Sequence, residues 1–292
     1  MTPVAPDVSN TPAARPKVVT PTMIDVSAAA PATPASAGEA VAGAGKLIDL
    51  GTIHLGVICP MASESDTAVP FVDAVLSKCR GRGFKSVQFF AVLDNACKDN
   101  TRELLTEHAK ANPEIQVVWA PENRGVVDAY VRGYRAALDA GCDWILEIDA
   151  GFSHDPNDIP QFFDVMRRGY DAVFGSRFMP GGAITDSAFK RRFISKGGTV
   201  LANAMLGTKL SDMTSGFEMF SRKTLAWALD DRGIASRGPF FQTEIKTYCR
   251  NLKITELPIH YRAASHDVGK SALKDSFRNL FRLWKLKRRG EL

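Results

Sequence analysis

Glu147 and Asp149 stand two residues apart in an apolar run, WILEIDA. Alternate residues of a strand point to one face, so the pair offers the hard carboxylate oxygens that bind Mg²⁺ or Mn²⁺. Other polar residues recur in the same setting, each just after an apolar run: Ser63 and Glu64, Asp94 and Asn95, Glu122 and Asn123, and Arg177. A carboxylate such as Asp94 at a strand end can accept an N–H from a nucleobase edge. Arg191 and Ser195 are four apart, the spacing that puts two side chains on one helix face. With Arg177 they form an anion-binding set, because a guanidinium holds phosphate through forked, charge-assisted hydrogen bonds. Plainer roles stand beside these. Asp99 and Asn100 also suit a turn before a helix, Glu64 a solvated loop, and Arg191 the basic face of a KRR run. His154 fits either a place near a metal or phosphate, or a loop cap.

The elements that must carry these residues are legible from punctuation and period. Apolar, β-branched runs at 53–60, 86–93, 116–119, 144–148 and 172–174 read as strands. Between them, 67–79, 101–109, 126–138 and 158–168 carry helical patterns. Strands alternating with helices of this length imply βαβ units, hence an α/β fold with a mostly parallel sheet flanked by helices on both faces. Ligands of such folds bind at the carboxyl ends of the strands, where the polar clusters fall.

The ends of the chain differ in composition. Residues 1–46 are rich in Ala, Pro, Thr and Ser and hold seven of the 16 prolines, so a disordered leader is expected there. Residues 47–268 are the expected catalytic domain. In 269–292, eight Lys/Arg face only Asp275 and Glu291, a local charge of +6 that leaves about −1 for the rest of a chain whose total is +5. Basicity confined to one element argues against a nucleic-acid binder. Leu273, Phe277, Leu280, Phe281 and Trp284 form one stripe of that element beside Lys274, Arg278, Arg282, Lys285 and Arg289. A basic amphipathic helix of this kind suits an anionic membrane surface, or else packs its stripe on the catalytic domain. No apolar run is long enough to span a bilayer, the start of the chain does not resemble a secretory signal, and the five cysteines are scattered without CxxC spacing, so no disulfide framework or zinc site is expected.

Taken in order, the strand ends resemble family-2 glycosyltransferases of the GT-A (Rossmann-like) fold, in particular the polyprenyl- and dolichol-phosphate mannose synthases. Residues 60–64 (PMASE) resemble P-x-Y-N-E through Pro60 and Glu64, and 94–101 (DNACKDNT) resemble DDGSPDGT. Asn123 begins the counterpart of N-x-G, 147–156 (EIDAGFSHDP) resemble EMDADGSHDP, and 175–182 (GSRFMPGG) resemble GSRYVPGG. Residues 191–197 (RRFISKG), 212–217 (DMTSGF) and 256–259 (ELPI) complete the series. The resemblance implies an inverting hexosyltransferase, most simply moving mannose from GDP-mannose to a polyprenyl phosphate at the cytoplasmic face of the membrane, to which the protein is peripheral. It assigns Pro60, Glu64, Asp94 and Asn123 to the nucleotide, Asp149 to the Mg²⁺ or Mn²⁺ that neutralises the departing diphosphate, and Arg177, Arg191 and Ser195 to the acceptor's lipid phosphate and the donor diphosphate.

Three departures bear on that expectation. The second Asp of the family's DAD is Gly151, which weakens the metal site, and Glu147 lies too deep to replace it readily. Glu218 stands where the family has Arg, and 261–271 (YRAASHDVGKS) match the family's final basic motif only with altered spacing. A hydroxyl acceptor, with Glu218 or Asp212 as base, and a catalytically silent nucleotide-sugar binder are the alternatives.

Overall fold

The computed structural model describes residues 46–185, 189–262 and 270–292, with backbone alone for 189–191, 270 and 271. Except for Lys46, the expected leader lies outside the described residues. Four βα repeats and a fifth strand lead the chain: β1 (His54–Pro60), α1 (Ala68–Cys79), β2 (Ser86–Leu93), α2 (Thr101–Ala111), β3 (Ile115–Trp119), α3 (Val126–Asp139), β4 (Trp144–Glu147), α4 (Ile159–Met166) and β5 (Ala172–Ser176). Then follow β6 (Ala183–Thr185), α5 (Phe189–Leu206), β7 (Glu218–Ser221), α6 (Arg222–Trp227), α7 (Phe241–Tyr248), β8 (Ile254–Pro258), β9 (His260–Arg262) and α8 (Lys270–Arg289).

The main sheet has the order β3-β2-β1-β4-β7-β5-β8. β1 has parallel neighbours on both sides, β2 and β4, so the chain order reverses there and a crevice opens beyond the strand ends. β7 runs antiparallel to both β4 and β5. That reversal was not legible in the sequence, and it puts Glu218, the first residue of β7, opposite Glu147, the last of β4. The small β6–β9 sheet and a bridge between His154 and Tyr261 wall one side of the crevice.

The sheet buries apolar side chains on both faces, which is why its strands read as continuous apolar runs rather than alternating ones. On one face Leu55, Val57 and Phe89 pack against Phe71 and Val75 of α1 and Phe162 and Phe163 of α4. On the other, Ile58, Phe90 and Ile145 meet Tyr134 of α3, Leu206 of α5 and Ile245 of α7. α3 approaches closely because Gly133 has no side chain: a Cβ there would lie 2.9 Å from Val92 Cγ2.

α8 belongs to this second core. Leu280 and Leu283 are buried in it, and Arg282 reaches the buried Glu244. The anticipated stripe therefore divides, with Leu280 turned inward and Phe277 and Phe281 left exposed. Leu283→Ala is expected to cost about 2–5 kcal/mol of unfolding free energy, and Phe281→Ala less than about 1 kcal/mol. Urea denaturation of the two variants checks this, and equal costs would contradict the placement of the helix.

Candidate active site

The loops after β1 and β2 are knitted together by small polar side chains. Glu64 N–H donates to Thr101 Oγ1 at 2.7 Å, Ser65 N–H to Asp99 Oδ2 at 3.0 Å, and Lys98 N–H to Ser63 Oγ at 2.9 Å. Asp99 also accepts from the Thr101 hydroxyl and N–H, and the Thr101 hydroxyl leads the contacts that pull its carboxyl well below the usual range. Asp99 is thus a loop organiser, one of the two roles its sequence position allowed. Asp94 is buried at the end of β2, with Oδ1 accepting from Ala96 N–H at 2.8 Å and Oδ2 paired with Arg132 at 3.2 Å. Pro60 ends β1, and Asn123 Oδ1 accepts from Gly125 N–H at 2.9 Å to open α3. These residues, with Glu64, line the crevice edge at the β1, β2 and β3 ends.

A cavity of about 570 Å³ opens beside them, bounded by Asp149, His154, Arg177, Ser195 and Gln242 on one side and by apolar residues of α5 and α8 on the other. Asp149 is 35% exposed there, and its Oδ1 accepts a close hydrogen bond from the Tyr130 hydroxyl. Burial and the Asp149 charge push the Tyr130 hydroxyl up, so it remains the donor. His154 is fully enclosed, stacked 5.0 Å from Phe217, and its Nδ1 accepts the Asp149 N–H at 3.3 Å. Burial lowers its pKa to about 4, so at neutral pH it is an uncharged scaffold that holds Asp149 rather than a cation for phosphate.

Arg177 lines the cavity but spends two nitrogens on a buried carboxylate: Nε and Nη2 donate to Asp212 at 2.7 and 2.9 Å, and Nη2 also to Thr214 Oγ1 at 2.6 Å. Desolvation works against the Asp212 charge, yet Arg177 and Lys246 outweigh it and hold that carboxyl well below its ordinary range. Ser195 sits half-buried on α5 at the cavity wall, whereas the Arg191 side chain lies outside the described residues. Glu218 is fully buried and in ion contact with Lys246 Nζ at 3.0 Å, without hydrogen-bond geometry. Burial drives its carboxyl upward against the pull of Lys246. Neither Glu218 nor Asp212 therefore meets a substrate, which corrects their standing as candidate bases.

The metal question turns on Gly151. It adopts φ +69°, and a Cβ on it would lie 3.0 Å from Glu64 Oε2. The space that the missing aspartate would take is thus already occupied by a carboxylate from the β1 loop. Among the described residues no three His, Cys, Asp or Glu side chains converge to hold an ion unaided. Asp149, with Glu64 across the turn, fits a Mg²⁺-type ion that uses one or two carboxylates and completes its shell with ligand phosphates and water. Gly151→Asp forces a side chain into left-handed backbone against Glu64, and is expected to lower stability by about 1–3 kcal/mol while Glu64→Ala in the same chain recovers part of the loss. Chemical denaturation measures both. A Gly151→Asp variant at least as stable as the parent would show that glycine is not required there.

Sequence reasoning missed Gln242, which lies in FFQTE on α7 outside any strand end, and Tyr130, whose signal is its place one turn into the helix that starts beside Asn123. Comparison with known proteins agrees with the geometry. Residues 57–226 match the model of Glycosyl transferase family 2. The undecaprenyl-phosphate mannosyltransferase of Micrococcus luteus is 32% identical over 184 residues, covering 62% of this chain and 74% of that one. The polyprenol monophosphomannose synthase of Mycolicibacterium smegmatis is 28% identical over 204 residues, covering 69% and 77%. Glucosyl-3-phosphoglycerate synthase from Mycobacterium tuberculosis, solved with Mn²⁺, UDP and phosphoglyceric acid, superposes with TM-score 0.54 at 17% identity over 81% of this chain and 78% of that one, a likeness of fold alone. A crevice at the reversal point of the sheet, a carboxylate at its floor and a family match across more than half of the chain lead to one conclusion: the chain belongs to glycosyl transferase family 2 and is a glycosyltransferase of the GT-A fold.

Proposed function

We propose that the enzyme transfers a hexose, mannose from GDP-mannose in the first instance, to a polyprenyl phosphate at the cytoplasmic surface of a membrane. The observation that carries this reading is the two-sided character of the cavity. Among the described lining residues its floor has one cation, Arg177, and one carboxylate, Asp149. Its mouth is apolar, built from Phe193, Ile194 and Leu201 of α5 and Leu273, Phe277 and Leu280 of α8. An acceptor with an anionic head and a hydrocarbon tail matches both ends. The names of the Micrococcus and Mycolicibacterium relatives point the same way.

The nucleophile explains the shortage of carboxylates. A sugar hydroxyl must lose a proton during attack and needs a positioned base. A phosphate oxygen is already anionic at neutral pH and needs only orientation. An acceptor oxygen attacks the anomeric carbon as the bond to the nucleoside diphosphate breaks, and the bonding pair leaves with the diphosphate, so an α-linked donor gives a β-linked product. Mg²⁺ or Mn²⁺, when bound with the donor, supplies charge neutralisation to that leaving group. Asp149, steadied by Tyr130 and His154, would hold the ion, with Glu64 beside it. Arg177, Ser195 and Arg191 would orient the acceptor phosphate, while Pro60, Glu64, Asp94 and Asn123 would seat the nucleotide.

Membrane contact follows from what surrounds the mouth. Phe193 and Phe277 are 71% and 61% exposed, with Val200 and Phe281 nearby in the same two helices. Lys274, Lys285, Arg288 and Arg289 of α8 add positive charge, each contributing roughly 1 kcal/mol near anionic lipid. No helix among the described residues is long and apolar enough to cross a membrane.

Purified protein with polyprenyl phosphate in anionic vesicles, Mg²⁺ or Mn²⁺ and radiolabelled GDP-mannose is expected to move label into the organic-extractable lipid. Asp149→Ala is expected to cut that transfer by about 10²-fold or more. Nucleotide-sugar binding without transfer into lipid would overturn the reading.

A further inference from the structure

Gln242 opens into the cavity from the first turn of α7 and is only 4% exposed. Its Nε2 donates a close hydrogen bond to Oε1 of Glu147, whose other oxygen takes the Tyr134 hydroxyl. Glu147 is therefore an anchor rather than a ligand. It fixes the amide with its nitrogen on the carboxylate, which leaves the oxygen to find a different partner. That oxygen, Gln242 Oε1, is buried and has no hydrogen-bond partner among the described residues. Buried acceptors are seldom left bare in native proteins, and one that is left bare in a binding cavity asks for a donor from the ligand.

The place where this amide sits narrows the choice of donor. Gly216 faces it without a side chain, and a Cβ there would lie 2.9 Å from Gln242 Nε2, 3.4 Å from Glu147 Oε1 and 3.7 Å from Asp149 Oδ1. Gln242 and Asp149 thus both pack close to Gly216, which leaves no room for a side chain and keeps the amide near the Asp149 carboxylate. At neutral pH the diphosphate and the acceptor phosphate present acceptors, not donors. The nucleobase belongs to the strand ends around Asp94. The remaining part of the donor, joined to the diphosphate through its anomeric carbon and rich in hydroxyl groups, is the sugar.

We infer that Gln242 Oε1 accepts a hydrogen bond from a ring hydroxyl of the transferred sugar and is a specificity-determining residue of the donor site. The inference rests on the nucleotide-sugar transfer proposed above. A site built to hydrogen-bond a hydroxyl discriminates strongly against an analogue that lacks it, because its own polar atom is then left unpaired.

Calorimetric titration in the presence of Mn²⁺, on the full chain and on Gln242→Met, separates the possibilities. The ligands are GDP, GDP-mannose and its monodeoxy analogues, and the corresponding UDP and UDP-glucose series. For whichever nucleotide sugar binds, the wild type should lose about tenfold in affinity for one monodeoxy analogue. Gln242→Met should bind the free nucleoside diphosphate within about twofold of wild type, bind the sugar nucleotide about tenfold more weakly, and show no further loss for that same analogue. Equal weakening of the diphosphate and the sugar nucleotide in Gln242→Met would overturn the inference, because the amide would then serve the ion or the nucleotide. So would a wild type that tolerates every monodeoxy analogue, a result independent of how the variant folds. A wild type that binds neither sugar nucleotide overturns the transfer reading itself, and this inference with it.

Discussion

Lys246 carries its ammonium into the protein interior, where Nζ donates to the Asp212 and Ser215 carbonyls at 3.0 and 2.9 Å and lies 3.0 Å from Glu218. A buried charge is tolerated only when it is paired and hydrogen-bonded, and here the pairing fixes the whole stretch from Asp212 to Glu218. That stretch supplies Asp212 to Arg177, Thr214 to the same guanidinium, and at Gly216 a position without a side chain that lets Gln242 and Asp149 pack close. Glu218, in place of the arginine that the family pattern leads one to expect, is the counter-charge of this lysine. The antiparallel entry of β7 is what brings it beside Glu147, and two carboxylates so close under the sheet need the lysine to share the interior. Burial first, and Glu218 second, drive the Glu147 carboxyl upward, against the hydrogen bonds from Tyr134 and Gln242.

On this rigid base the cavity separates two kinds of chemistry. Groups at the floor are each steadied by a neighbour: Asp149 by Tyr130 and His154, Arg177 by Asp212, Gln242 by Glu147. Such preorganisation lets fixed charges act on a transition state without reorganising during the reaction. The mouth, in contrast, is a gap between two helices whose aromatic side chains meet solvent. The same α8 that closes the second core through Leu280 and Leu283 presents Phe277 and Phe281 outward. One helix therefore ties the stability of the fold to the apolar side of the site.

Much of this was written in the sequence. The strands stand where their apolar runs end, within a residue or two, because a doubly buried parallel strand leaves little freedom in composition. Polar residues at those ends gathered at one crevice for the same reason. What stayed hidden depends on contacts distant in sequence. EMFS at β7 is too short and too mixed to announce a central strand. Gln242 looks like an ordinary helix residue until Glu147 is seen to hold it. The α8 stripe could not reveal that Leu280 would face a core while Phe281 would not, since periodicity gives a face and not its partner. Gly151 read as a lost ligand, and only the nearness of Glu64 shows that the turn is shaped around its absence.

On the proposed reading a single cavity would take the donor's diphosphate at Asp149 and its sugar at Gln242, with the apolar mouth open for the acceptor. A crystal structure with Mn²⁺ and GDP-mannose, the ion located by its anomalous scattering, tests this most directly. An anomalous peak beside the Asp149 carboxylate, with the sugar against Gln242, is the expected result. A diphosphate bound away from Asp149, or a sugar occupying the groove between α5 and α8, would contradict it.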